Sequence, residues 1–134
     1  MFKHLPLQSA WLISASILVL CMAIRGSVSA QLPAARVTDT DNQGNAITTG
    51  IPTVLIGSFP AATQGSSVTP TPNCPAGSVS SGSSTVLIGG LPAARTTDTV
   101  AIFVLMPIGT PPVPTCIPVT TNLATGIPTV LIGP

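Results

Sequence analysis

The feature that most constrains this chain is a phrase it repeats. Gly50-Ile51-Pro52-Thr53-Val54-Leu55-Ile56-Gly57 returns as Gly82-Ser83-Ser84-Thr85-Val86-Leu87-Ile88-Gly89, and again as Gly126-Ile127-Pro128-Thr129-Val130-Leu131-Ile132-Gly133. A second phrase, Leu32-Pro33-Ala34-Ala35-Arg36-Val37-Thr38-Asp39, returns as Leu91-Pro92-Ala93-Ala94-Arg95-Thr96-Thr97-Asp98, and a worn copy, Phe59-Pro60-Ala61-Ala62-Thr63, stands between them. Repeats of this kind mean that one supersecondary unit is used several times and that its copies pack on one another. Thr-Val-Leu-Ile is a short, mostly β-branched run bounded by glycine, which predicts a buried strand closed by a turn at each end. Gly-Ser or Gly-Gly then leads into Pro-Ala-Ala, so strand and return arm form a hairpin-like unit.

The two phrases are staggered along the chain. The repeats begin with a Pro-Ala-Ala-Arg half and finish with a Thr-Val-Leu-Ile-Gly half, so pairing of these outer halves would complete a third unit. Three hairpin-like units around a pseudo-threefold axis are therefore expected, closed so that strand edges are not left open. Alanine suits close packing near such an axis. Within the units, Gly57, Gly89 and Gly133 close the strands and Pro33 and Pro92 open the return arms. Arg36 with Asp39, and Arg95 with Asp98, stand three residues apart, within reach of a local charge-assisted pair. The roles read for these nine residues are structural.

A chain of 134 residues carries one compact core. Its 15 prolines and 12 glycines argue against helices and for short strands joined by tight turns. A net charge of +1 lacks the basic footprint that binding nucleic-acid phosphates requires. With only 5% charged residues, the surface reads as one partly covered by another protein.

Residues 1–30 stand apart from the repeats. Lys3 and His4 precede an apolar run from Ala10 to Ile24, followed by Arg25-Gly26 and by Ser27-Val28-Ser29-Ala30, which has the small-residue spacing of a signal-peptidase site. The run is shorter than the roughly twenty residues that span a bilayer. Two readings stay open: a leader removed on export, or a retained segment that meets a membrane or a chaperone through residues 10–24. The domain proper is then 31–134. Within it, Thr63 to Ser84 reads as an extended surface loop or linker. Ala101 to Met106 reads as a core strand, with an exposed apolar finger as the alternative.

Thr85-Val86-Leu87-Ile88-Gly89-Gly90-Leu91-Pro92-Ala93-Ala94-Arg95 resembles the signature of the PAAR-repeat family, and Gly109-Thr110-Pro111-Pro112-Val113-Pro114 resembles a loop common among its members. The resemblance implies a small, mainly β, conical fold. It also implies a structural role, as the tip that caps and sharpens the trimeric valine-glycine repeat spike of a type VI secretion or related contractile injection machine and aids effector delivery.

In similar proteins one zinc ion, held by histidines and a cysteine, gathers the pointed end. This chain departs from that pattern. Val100 and Ile102 stand near positions where a histidine and a cysteine are usual, Thr115 and Cys116 follow Pro114, and the single histidine is His4. Tetrahedral zinc needs about four ligands, so no metal or other cofactor is expected. Cys74 and Cys116 are an even set in an export-compatible chain, and either pair as a disulfide or remain two buried thiols.

Catalytic constellations are missing. Without a histidine beyond the leader, nucleophile and base pairs of the usual kind cannot be assembled. Of the acids Asp39, Asp41 and Asp98, two stand beside arginines, and Asp41-Asn42-Gln43-Gly44 reads as a polar turn. A non-enzyme without a small-molecule substrate is expected, and a small metal- or carboxylate-dependent enzyme is the least favoured reading. The alternative to the spike tip is an exported or membrane-anchored module with a different protein partner. A cleaved leader favours it, because parts of an injection machine load from the cytoplasm.

Overall fold

The computed structural model describes residues 30–134; the leader or membrane segment read over residues 1–30 lies, but for Ala30, outside the described residues. Ten strands make a mainly β domain, and no α-helix occurs among the described residues. They are β1 (Leu32–Ala34), β2 (Ile51–Ile56), β3 (Phe59–Ala61), β4 (Ser67–Val68), β5 (Gly77–Val79), β6 (Leu87–Ile88), β7 (Leu91–Pro92), β8 (Thr99–Ile108), β9 (Val113–Asn122) and β10 (Ile127–Ile132). Three antiparallel pairs, β2 with β3, β6 with β7 and β1 with β10, are copies of one unit. The third is assembled from the two outer halves, with Leu32 opposite Ile132. Gly57-Ser58 and Gly89-Gly90 join the other two, and all four residues have positive φ, as the mirror-image turns of tight hairpins demand.

The units meet in a ring. Ala35 N donates to Ala94 O (2.9 Å), Ala94 N to Ala62 O (3.0 Å), and Ala62 N to Ala35 O (3.0 Å), closing a three-membered cycle of main-chain hydrogen bonds. A second cycle lies beside it: Val37 N to Pro60 O, Gln64 N to Pro92 O, and Thr96 N to Pro33 O. Each hairpin thus hands its proline carbonyl to the next unit, where the pyrrolidine's missing N–H is no loss. The six alanines 34, 35, 61, 62, 93 and 94 are fully buried.

Glycine opens each unit for the same reason. A Cβ on Gly50 would lie 2.7 Å from Ala61 O, one on Gly82 2.8 Å from Pro92 O, and one on Gly126 2.9 Å from Ala34 O. These are main-chain atoms of the ring, which cannot step aside.

Two apolar clusters flank the ring. On the hairpin side lie Ala34, Ala61, Ala93, Ile56 and Ile132, with Ile88 and Ile127 packed against them. On the other side, Ile47, Val79 and Leu123 hold equivalent places, each returning a carbonyl to the positive-φ turn residue of its unit, Thr38, Gly65 and Thr97. Val68 and Val100 fill two further equivalent positions, and Asp41 fills the third, buried to 2% exposure. Beyond this cluster the units differ only in how far the chain runs out before returning. The first makes a tight loop at 41–46, the second a longer arm between β4 and β5, and the third the β8–β9 hairpin, paired from Thr99↔Asn122 to Ile108↔Val113.

Three expectations are corrected. The Thr-Val-Leu-Ile runs form strands, the middle one only at Leu87–Ile88, but not buried ones: Leu55, Leu87 and Leu131 are 59%, 61% and 51% exposed. Isoleucines 56 and 132 are buried and Ile88 and Val86 pack partly against the core, because the hairpins have one face on the ring and nothing over the other. Thr63 to Ser84 is no simple surface loop, since it supplies β4, β5 and the buried Thr63, Ser66, Val68, Val79 and Ser83. Its polar composition hides the worn repeat. The run from Ala101 to Met106 is both things at once: Ile102 is buried in the core, while Leu105 and Met106 project on the outer half of the hairpin.

Substituting Gly50 with alanine is expected to lower the unfolding free energy by about 1–3 kcal/mol, the usual cost of overpacking. Urea denaturation reads it, and an unchanged midpoint would show that the ring carbonyls can yield.

Candidate functional site

The motif residues build a turn that recurs three times. Asp39 N donates to Arg36 O, Ser66 N to Thr63 O, and Asp98 N to Arg95 O, and the third residue of each turn has φ of +81°, +91° or +69°. At Thr38 and Thr97 a β-branched residue sits in the left-handed region, which carries a steric cost. The last side chain of each turn offsets it by accepting from the first amide: Arg36 N to Asp39 Oδ2 (2.9 Å), Thr63 N to Ser66 Oγ (3.0 Å), Arg95 N to Asp98 Oδ2 (2.8 Å). The acids of the repeat therefore clamp turns.

The arginines tie one unit to the next. Arg95 Nη1 donates to Gly133 O at 2.7 Å, while Nε and Nη2 grip both oxygens of Asp98 at 3.2 and 3.1 Å. This fork is nearly enclosed, with side chains 13% and 7% exposed. The matching Arg36–Asp39 ion pair expected from the spacing does not form. Arg36 Nη1 reaches instead to Gly57 O (2.7 Å) and Ile56 O (3.2 Å), and its guanidinium lies over the Phe59 ring at 4.7 Å. Its Nε is buried without a partner. The aromatic face at residue 59 draws the planar cation away from the carboxylate, and the corresponding wall beside Arg95 carries Leu32. Spacing alone cannot register that difference.

On the hairpin side, Val54, Leu55, Leu87, Val130 and Leu131 stand exposed at equivalent positions of the three units. None of the residues from Ile51 to Ala61, Ser83 to Ala93 or Ile127 to Pro134 is charged. This is an apolar base with threefold character.

At the opposite end, Cys74 in the β4–β5 arm and Cys116 on β9 are joined as a disulfide, with Cα atoms 5.7 Å apart. Cys116 lies opposite Leu105 in the hairpin, beyond the two register positions, Ser78↔Ala101 and Val79↔Val100, at which β5 supports β8. Thr71 Oγ1 donates to Phe103 O from the same arm. Pro107 faces Pro114, and Pro118 faces Phe103. Proline cannot donate, so these pairs place ring nitrogens where N–H groups would otherwise point outward along the hairpin edge, blunting it against further strand addition.

The family's zinc does not fit this end. Val100 and Ile102 are buried aliphatic side chains of the core, and the two sulfurs are bonded to each other. Among the described residues no group of three histidine, cysteine, aspartate or glutamate side chains could hold a metal ion. Asp41 is likewise occupied: its Oδ1 accepts from the amides of Gln43 and Asn45, and its Oδ2 from Asn45 Nδ2. This is the polar turn the sequence suggests, and it draws the loop tight.

Ring-closed units that begin with Pro-Ala-Ala and clamp their turns with an acid or serine define a structural repeat module. Residues 37–102 match the PAAR motif family. The chain belongs to the PAAR-repeat family, whose members serve a structural, spike-tip-like role. Comparison with curated proteins returns no match.

Closing the 42-residue separation between Cys74 and Cys116 stabilises the domain by about 4 kcal/mol in the chain-entropy account. Reduction is expected to raise hydrogen exchange in residues 69–76 and 103–118 while the amides of Ala35, Ala62 and Ala94 stay protected. Uniform loss of protection would show instead that the bond holds the whole domain.

Proposed function

We propose that the domain caps a trimeric valine-glycine repeat spike of a type VI secretion or related contractile injection machine. The observation that carries this reading is the base, where three equivalent hairpins present Leu55, Leu87 and Leu131 outward without a charge among them. Exposed apolar surface of this kind marks a protein-binding face. A face with three equivalent sectors suits a threefold partner, because each subunit then meets the same chemistry. Docking covers the leucines and the open strand ends of the spike together. The opposite end of the cone, drawn in by the disulfide, then leads during contraction, and the work done there is mechanical: no step needs a bond to be made or broken.

Co-purification with a trimeric valine-glycine repeat spike from the same genome tests this. The triple variant Leu55→Asp, Leu87→Asp, Leu131→Asp changes only exposed positions, so it is expected to fold and to weaken spike binding by at least roughly tenfold. Undiminished binding by that variant, or no binding by the native chain, would sink the proposal.

A second reading is favoured by the disulfide. Such bonds persist in oxidising compartments and are rare in the cytosol, which fits an exported PAAR module with another protein partner. Mass spectrometry of the native amino terminus separates the two: a chain beginning at Gln31 is expected for export, and an intact leader for loading from the cytoplasm.

A further inference from the structure

The β8–β9 hairpin outruns its support. β5 pairs with β8 only at Val100 and Ala101, and the disulfide at Cys116 is the last brace before the turn. From Leu105 to Thr115 every residue is exposed and none is charged. Thr110 and Thr115 carry the only polar side chains of this stretch, and Thr115 Oγ1 donates to the carbonyl of Val113 in its own strand. The apolar surface lies on both faces. Side chains alternate along a strand and agree across a pair, so Met106, Ile108 and Val113 share one face and Leu105 takes the other, all four exposed.

The main chain is adapted in the same direction. Proline has no N–H, so Pro107 opposite Pro114 is a pair whose main-chain groups point away from the partner strand. Leu105 opposite Cys116 and Phe103 opposite Pro118 share its phase. Thr71 Oγ1 meets Phe103 O from the side, as that phase requires. Beyond Leu105 and Cys116, the last outward position of each strand is therefore a proline, and neither edge has an N–H left to satisfy. Pro111 and Pro112 remove two more from the turn.

We infer that this hairpin tip inserts into the surface of a lipid bilayer, in the free chain and with no drive from contraction. A strand partner is refused by the prolines at both edges. A one-sided protein face covers either Leu105 or Met106 and leaves the other in water. A charged surface finds nothing to hold. A fluid apolar layer wraps both faces at once, and the unpaired N–H groups that would be costly in it are gone. The outward carbonyls of Pro107 and Pro114 remain, and they keep the tip at the boundary between headgroups and acyl chains instead of letting it span. The base, by contrast, presents a single face and suits a protein. The inference concerns the opposite end of the domain, so it stands or falls apart from spike docking.

The test reads tryptophan fluorescence from the full chain mixed with vesicles of phosphatidylcholine, plain or brominated on the acyl chains. Trp11→Phe removes the chain's single tryptophan. Ile108→Trp then places a reporter at the tip, or Gln64→Trp one on the flank, where it registers contact brought about by any other part of the chain. Both positions are exposed, so both chains are expected to fold. A saturable blue shift, and quenching by the brominated lipid, are expected from position 108 and neither from position 64. Adding Met106→Asp and Val113→Asp to the tip reporter is expected to raise the lipid concentration at half-saturation at least about tenfold. An unshifted and unquenched tip reporter, equal quenching on the flank, or an undiminished response in the chain with both aspartates would each overturn the inference.

Discussion

Everything in this domain depends on three main-chain hydrogen bonds that run in a circle, from Ala35 to Ala94, from Ala94 to Ala62 and from Ala62 back to Ala35. A circle of this size leaves no room at its centre for anything larger than a methyl group. Hence the paired alanines in every copy, the glycine before every strand, and the proline whose carbonyl serves the second circle. The short strands need no long ladders because their hydrogen bonding is finished by the neighbouring unit. A fold with few aromatic residues and small clusters on either side of the ring is held by this closure together with the turn clamps and the arginine tethers.

Much of this was legible because the repeat states it twice. The stagger of the two phrases foretells that β1 meets β10, and the glycine pairs foretell the hairpin turns. The direction in which the strands face was not legible. A run such as Thr53-Val54-Leu55-Ile56 has the same composition whether its outer side meets a core or another molecule, and here only Ile56 meets the core. Nor does the sequence show that Asp41, Val68 and Val100 share one place in the fold. The chain between turn clamp and returning strand lengthens from Asp39–Ile47 through Ser66–Val79 to Asp98–Leu123, and the threefold relation is lost to the eye as it does so. Arg36 fails to pair with Asp39 for a reason outside its own repeat, the aromatic ring of Phe59.

The two ends of the molecule differ in regularity. The base is regular and apolar, with equivalent leucines at 55, 87 and 131 exposed on its three hairpins. The far end is irregular, and the β8–β9 hairpin there is supported from the side by an arm joined to it through the Cys74–Cys116 disulfide. Between them, Thr63 stands where the other two copies carry an arginine.

The pairing of Leu32–Ala34 with Ile127–Ile132 has a consequence in time. The alanine circle joins residues 35, 62 and 94, but the unit that leads into Ala35 is built from strands separated by almost the whole domain. Contacts so distant in sequence form late, since the loop must be closed before its contacts reward it. During synthesis the β1–β10 pair cannot form until β10 has emerged from the ribosome, whatever the first two hairpins have done by then. A nascent chain of this design therefore completes its third unit, and covers the strand that opens the domain, only when β10 arrives.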